Sequence, residues 1–173
     1  EELEILGDGA RPVLPRALAA ALASNKVTFN SGFGPSPQAL LNGAQVTARL
    51  DITGGRGHEN LIGGRNADVI RDGLGFDRIQ GGLGADSIQL SADGFGDRVA
   101  YTAANDGTRD IFAAAAAGTL AQADTITGFD GAGDAGDLLE LVRAGFGGLG
   151  AKSAVATLGA GAAVDLSAAA VFI

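Results

Sequence analysis

Acidic residues recur at a fixed interval in the middle of this 173-residue chain, with Glu59, Asp68, Asp77 and Asp86 standing nine apart. Read from Gly54 in blocks of nine, the sequence gives GGRGHENLI, GGRNADVIR, DGLGFDRIQ and GGLGADSIQ. The acid is always at position six, and Leu61, Ile70, Ile79 or Ile88 is always at position eight. A fifth, degenerate unit, ADGFGDRVA, brings Asp97 and Val99 after an interval of 11 residues, so the register slips by two. Short carboxylates beside Gly-rich backbone suit a hard cation that takes oxygen ligands. Of the 20 acidic residues 15 are Asp, and 13 of those lie between Asp51 and Asp137, so the ligand type is concentrated where the repeats are. With a formal charge of −8 the chain repels phosphate backbones and anionic lipid headgroups, which argues against nucleic-acid partners.

Other chemistries are tested by subtraction. There is one histidine, His58, and no cysteine, so thiolate sites and disulfides are excluded and a histidine-based metal or catalytic site lacks partners. The patterns HExxH, GxSxG and the Walker P-loop are absent. Paired carboxylates at this spacing read as metal ligands before they read as acid–base pairs. His58 reads as an exposed or hydrogen-bonded turn residue and Tyr101 as core or rim. Arg56, Arg65, Arg71, Arg78 and Arg98 read as surface partners for the acids. No enzyme active site is expected, and no run of apolar residues is long enough to span a membrane.

The elements that must position the carboxylates follow from the block itself. Glycine at positions one, two and four permits a tight curl, and the last three residues carry a β-branched or Leu side chain suited to a short strand. Each block is therefore turn plus strand, and two blocks make one coil of 18 residues. Strands of successive coils stack in parallel about 4.8 Å apart, odd and even blocks face opposite sides, and position eight fills the interior. Residues 18 apart then stand above one another, pairing Glu59 with Asp77, Asp68 with Asp86, and Asp77 with the slipped Asp97. Carboxylates stacked this closely repel unless a cation lies between them. Gly and Ala make 63 of 173 residues (29 and 34), so small side chains dominate the packing.

This block resembles the calcium-binding RTX repeat, GGxGxDxUx, over about 36 residues. The resemblance implies an all-β fold, a right-handed parallel β-roll or β-solenoid with Ca²⁺ in its turns and minor helical excursions. It implies several Ca²⁺ ions, held by the position-six carboxylates Asp68, Asp77, Asp86 and Asp97 with turn carbonyls such as those of Gly63, Arg65, Gly81 and Leu83. Glu59 stands where the family has Asp, Asn66 replaces a glycine, and Asp72 replaces another and adds a carboxylate to the candidate ligands. Residues 123–141, ADTITGFDGAGDAGDLLEL, are similar to an element that closes RTX modules, with Ile126, Phe129, Leu138, Leu139 and Leu141 as core positions of two strands around a Gly-rich turn. There Asp130, Asp134 and Asp137 form either a further calcium site or a solvated polar turn.

Three sections are expected. Residues 1–53 read as irregular solenoid coils, with strands at Leu3–Leu6 and Val27–Asn30, an Ala-rich helix over Pro15 to Ser24, a loop with Pro35 and Pro37, and alternation from Ala44 to Thr53. Residues 54–100 are the nonapeptide roll. Residues 101–173 read as a capping β region, with a turn at Asn105-Asp106-Gly107, a helix or packed loop at Ala113–Ala117, and an apolar end compatible with part of a secretion signal. The chain starts at Glu1 without a leader-like segment, which suggests processing or a fragment.

The resemblance implies an extracellular or cell-surface location, export through a type I secretion channel, and a structural role in a surface layer or similar array that folds and self-associates on Ca²⁺. The rival is the folding and secretion module of an extracellular hydrolase, such as a serralysin-like protease or a lipase, whose catalytic domain lies elsewhere. An adhesin stalk is the third reading. Extracellular calcium modules bind at about 10⁻⁴–10⁻³ M, so such a chain stays unfolded in the cytosol and folds outside.

Overall fold

Apolar side chains that alternate with polar ones over three or four residues make strands too short to stand alone, so each must be paired along its whole length. A computed structural model of the chain describes residues 3–6, 12–16, 26–30, 39–102, 124–130 and 136–141. Eleven strands are found there: β1 (Leu3–Leu6), β2 (Lys26–Asn30), β3 (Ala39–Asn42), β4 (Asp51–Thr53), β5 (Glu59–Ile62), β6 (Val69–Arg71), β7 (Arg78–Gln80), β8 (Ser87–Gln89), β9 (Arg98–Tyr101), β10 (Thr125–Thr127) and β11 (Leu138–Leu141). They form two sheets, ordered β1-β2-β4-β6-β8-β10 and β3-β5-β7-β9-β11, in which every pair is parallel.

The strands from β2 to β11 enter the two sheets by turns, which is the alternation that the nonapeptide arithmetic requires. Within the regular repeats the register is 18 residues, as in Ile52↔Ile70, Ile70↔Ile88 and Leu61↔Ile79. The slip is absorbed in one step of 20, Ile79↔Val99. At the N-terminal side the steps are longer, 24 for Leu3↔Val27 and 25 for Val27↔Ile52. Val13 adds a parallel bridge outside β3, where Leu14 donates its N–H to the Asn42 carbonyl at 2.8 Å. Strand pairing crosses both expected section boundaries, since β3 pairs β5, β4 pairs β6, and β9 pairs β11.

The interior is a stack of position-eight side chains. Leu61, Ile70, Ile79 and Ile88 are wholly buried, and Leu41, Ile52, Val99 and Leu139 continue their rows. Burying each such side chain contributes about 1.5–3 kcal/mol. Glycine is required where coils touch through their backbones. A Cβ on Gly54 would overlap the carbonyl oxygen of Asp72 one coil away, and Gly75 combines a φ of +113° with a Cβ position that would overlap the Gly57 carbonyl.

Several local expectations are altered. Among the described residues there is no helix: Pro15 has no regular structure and Arg16 lies in a turn, and the rest of the Pro15–Ser24 stretch, like Ala113–Ala117 and the Asn105-Asp106-Gly107 turn, lies outside the described residues. The alternation expected from Ala44 to Thr53 yields a strand only at its end, β4, with turns before it. Strand β3 arises instead from Ala39-Leu40-Leu41-Asn42, whose inward pair Ala39 and Leu41 is fully buried. β10 and β11 do not pair with each other around the Gly-rich turn but join different sheets. Ile126 and Phe129 pack against the core and Leu139 is buried, whereas Leu138 is only partly buried. Among the described residues no helix is long and apolar enough to cross a membrane.

Candidate metal centre

Each position-six residue immediately precedes or opens a strand, so parallel stacking of the strands stacks the acids into two columns. In one column the N–H of Glu59 donates to Asp77 Oδ1 at 2.6 Å, that of Asp77 to Asp97 Oδ1 at 2.8 Å, and that of Asp97 to Asp137 Oδ1 at 2.9 Å. In the other, Leu50 N–H donates to Asp68 Oδ1 at 2.7 Å, Asp68 N–H to Asp86 Oδ1 at 2.8 Å, and Asp86 N–H to Asp124 Oδ1 at 2.8 Å. One oxygen of each carboxylate is thus engaged by the backbone of the preceding coil. This ladder, and the membership of Asp124, is not visible in the nine-residue pattern, because the step from Asp86 to Asp124 spans 38 residues.

The second oxygen separates Asp68, Asp137 and Glu59 from Asp77 and Asp97. In Asp68, Oδ2 accepts the Gly64 N–H at 2.5 Å, and in Asp137 it accepts the Asp130 N–H at 2.7 Å, so each carboxylate bridges two backbone donors. Glu59 reaches its own turn in the same manner, with Oε2 accepting the Gly55 N–H at 3.1 Å. In Asp77 and Asp97, both 0 % exposed, Oδ2 is buried and accepts no hydrogen bond. Leaving a buried acceptor unsatisfied costs about 1–3 kcal/mol, and more when it is charged.

These two acids meet a third. Asp72, at the position where the other regular units have glycine, is also buried, and its carboxylate is pinned by the N–H groups of Gly73 (2.7 Å) and Ser91 (2.8 Å). Ser91 and Leu90 are the two extra residues that make the register slip. One carboxylate oxygen from each of Asp72, Asp77 and Asp97 lies within 4.8 Å of the others. Oxygens on opposite sides of a Ca²⁺ ion stand about 4.6–5.2 Å apart, twice the usual bond length, so this spacing fits one hard cation. Asp72, Asp77 and Asp97 could hold a metal ion.

The electrostatics carry the same message. Burial, reinforced by Glu59, Asp97 and Asp72, pushes the Asp77 carboxyl up to about 10 even though the Glu59 N–H opposes it. Burial, then the charge of Asp72, raises Asp97 to about 8, and burial raises Asp72 as well. Asp68 is raised by burial to about 7 and Glu59 to about 6. At neutral pH without a cation this centre therefore retains protons, and a cation would displace them.

The remaining expected site residues sit in the turns around these columns. Gly63 lies against the Gly81 carbonyl oxygen and Asp68 Oδ2, and Gly81 lies against Asp86 Oδ2. Arg65 is exposed and donates its N–H to the Val46 carbonyl, and Leu83 donates its own to the Gly64 carbonyl. Asp134 lies outside the described residues. His58 accepts the Phe76 N–H on Nδ1 at 2.8 Å and meets the rings of Phe76 and Phe95 edge-on. Arg71 pairs with Asp51, Arg78 Nε with Glu140 at 2.9 Å, and the Arg98 guanidinium lies over the Phe76 ring. No family model matches the chain, and no curated protein and no solved structure matches it.

Proposed function

We propose that this chain is a calcium-dependent structural module of the RTX type, working outside the cell in a surface layer or similar array, that folds when it binds Ca²⁺ and then associates. The observation that carries the reading is the pair of buried, unpartnered Oδ2 atoms of Asp77 and Asp97 beside Asp72. On this reading the two parallel sheets belong to one right-handed roll, and the RTX resemblance of residues 54–89 extends to how the chain is exported and where it works.

The chain's own residues supply the switch. Without a cation, the acid columns carry buried carboxyl groups whose ionisation opposes coil stacking, and the Gly-rich turns lose much entropy on ordering. Bound calcium supplies positive charge and takes up the open oxygens, so stacking becomes favourable only where calcium is abundant. Asp77 is central, because it accepts from the coil before it and its N–H donates to Asp97 in the coil after it.

Sedimentation velocity across a calcium titration tests the proposal. The frictional ratio should fall first and the mass climb afterwards. Compaction to a stable monomer would instead favour the hydrolase-module reading, and no response to calcium would overturn the RTX reading itself.

A further inference from the structure

Individual acids differ in what a cation must displace to reach them, and that difference implies an order of filling. At Asp68 both carboxylate oxygens are engaged, by the N–H groups of Leu50 and Gly64, so an incoming ion competes with a hydrogen bond already made. The Asp130 N–H closes Asp137 in the same manner. Asp77 and Asp97 keep a buried oxygen with no partner, which an ion takes without breaking a hydrogen bond. Asp72, the third acid within 4.8 Å, has both oxygens engaged, as Asp68 does, so the advantage of this group rests on Asp77 and Asp97.

The register slip builds this arrangement. Ser91, one of the two inserted residues, donates its N–H to Asp72 Oδ2, and its own hydroxyl oxygen is buried without a hydrogen-bond partner. Taking the chain as a cation-dependent module, we propose that the slip between the fourth and fifth units creates a distinct divalent-cation site from Asp72, Asp77, Asp97 and the Ser91 hydroxyl, which fills before the regular turn that Asp68 closes. Three carboxylates raise the charge of the site, and ligand charge and rigidity both tighten binding of a hard cation. Ser91 acts partly as a positioning residue, through Asp72, and partly by offering a neutral oxygen.

Calorimetric titration of the full chain with CaCl₂, with far-ultraviolet circular dichroism recorded after each addition, tests the order. The wild type should show one tight equivalent followed by a weaker class. Asp72→Asn should weaken the first equivalent about tenfold or more and spare the weaker class, whereas Asp68→Asn should spare the first. Ser91→Ala keeps the N–H and loses the hydroxyl, so it should weaken the first equivalent by several-fold, and it decides the matter if Asp72→Asn does not fold. A single class in the wild type, or a first equivalent indifferent to both Asp72→Asn and Ser91→Ala, would overturn the proposal while leaving calcium-dependent folding intact. Absence of both calcium heat and spectral change would overturn the functional reading as well.

Discussion

Binding of a cation at Asp72, Asp77 and Asp97 should release protons, and their number follows from the environment of the site. Asp77 and Asp97 are raised to about 10 and about 8, chiefly by burial. At pH 7 both are mostly protonated in the cation-free fold, yet a cation requires the ionised form, so about two protons should leave this pair per ion bound, and Asp72, which burial also raises, adds to them whatever it holds. At pH 9 Asp97 has already ionised and the release should fall to about one. Apparent calcium affinity should then rise about a hundredfold per pH unit near neutrality and about tenfold per unit near pH 9. Calorimetry of the folded chain in buffers of different ionisation enthalpy reads the proton number directly, as the slope of observed heat against buffer heat. A slope near zero at pH 7, under conditions where circular dichroism shows the chain folded before calcium is added, would refute the argument, because it would mean that these carboxyls are already ionised despite their burial.

Three further outcomes are expected. Asp68, Asp77 and Asp97 have folded-state pKa values raised above 3.8, to about 7, 10 and 8. The cation-free fold gains from them fully below pH 4 and loses that gain as pH rises through those values, at about 1.4 kcal/mol per pH unit per proton. Residual β-structure in chelator, read by circular dichroism, should therefore be less at pH 8 than at pH 5, and urea midpoints in saturating calcium should show the reverse order. Ile79→Ala, at a wholly buried position between Leu61 and Val99, should cost about 2–5 kcal/mol in calcium-saturated denaturation. Gly75→Ala should destabilise more than Gly94→Ala: both positions have positive φ, but a Cβ at Gly94 meets nothing whereas one at Gly75 meets the Gly57 carbonyl. Equal midpoint shifts for the two would show that strain at φ, not coil contact, decides.

The alternation of strands between two sheets was legible because position eight is kept as Leu or Ile in four consecutive units, and one buried face with an 18-residue return admits one register. Strand β3 was hidden, since Ala39 to Asn42 follows two prolines and offers only two inward side chains. The columns of acids were legible as positions but not as bonds. Periodicity places Asp77 above Asp97, yet it is the backbone N–H, common to every residue type, that takes one oxygen and leaves the other open. Asp72 was visible as a departure from the repeat, while its partner Ser91 was not, because a slip in register reads as a defect until its two residues are placed against the coil above. Asp124 joins its column across 38 residues, a distance over which no short period can speak.

Pairing between neighbours alone has a consequence for how such a chain can change over time. A strand such as β8 is specified by β6 on one side and β10 on the other, whether the return path is 18 residues, as for Ile70↔Ile88, or 38, as for Ile88↔Ile126. Length of the return path and position of the rung are therefore independent variables. Duplication or loss of an 18-residue segment would lengthen or shorten each sheet by one rung, about 4.8 Å, without disturbing the rungs already there. An architecture of this kind is editable in whole units, and its cation centre, which depends on an irregularity between two of them, is the part that such editing would erase first.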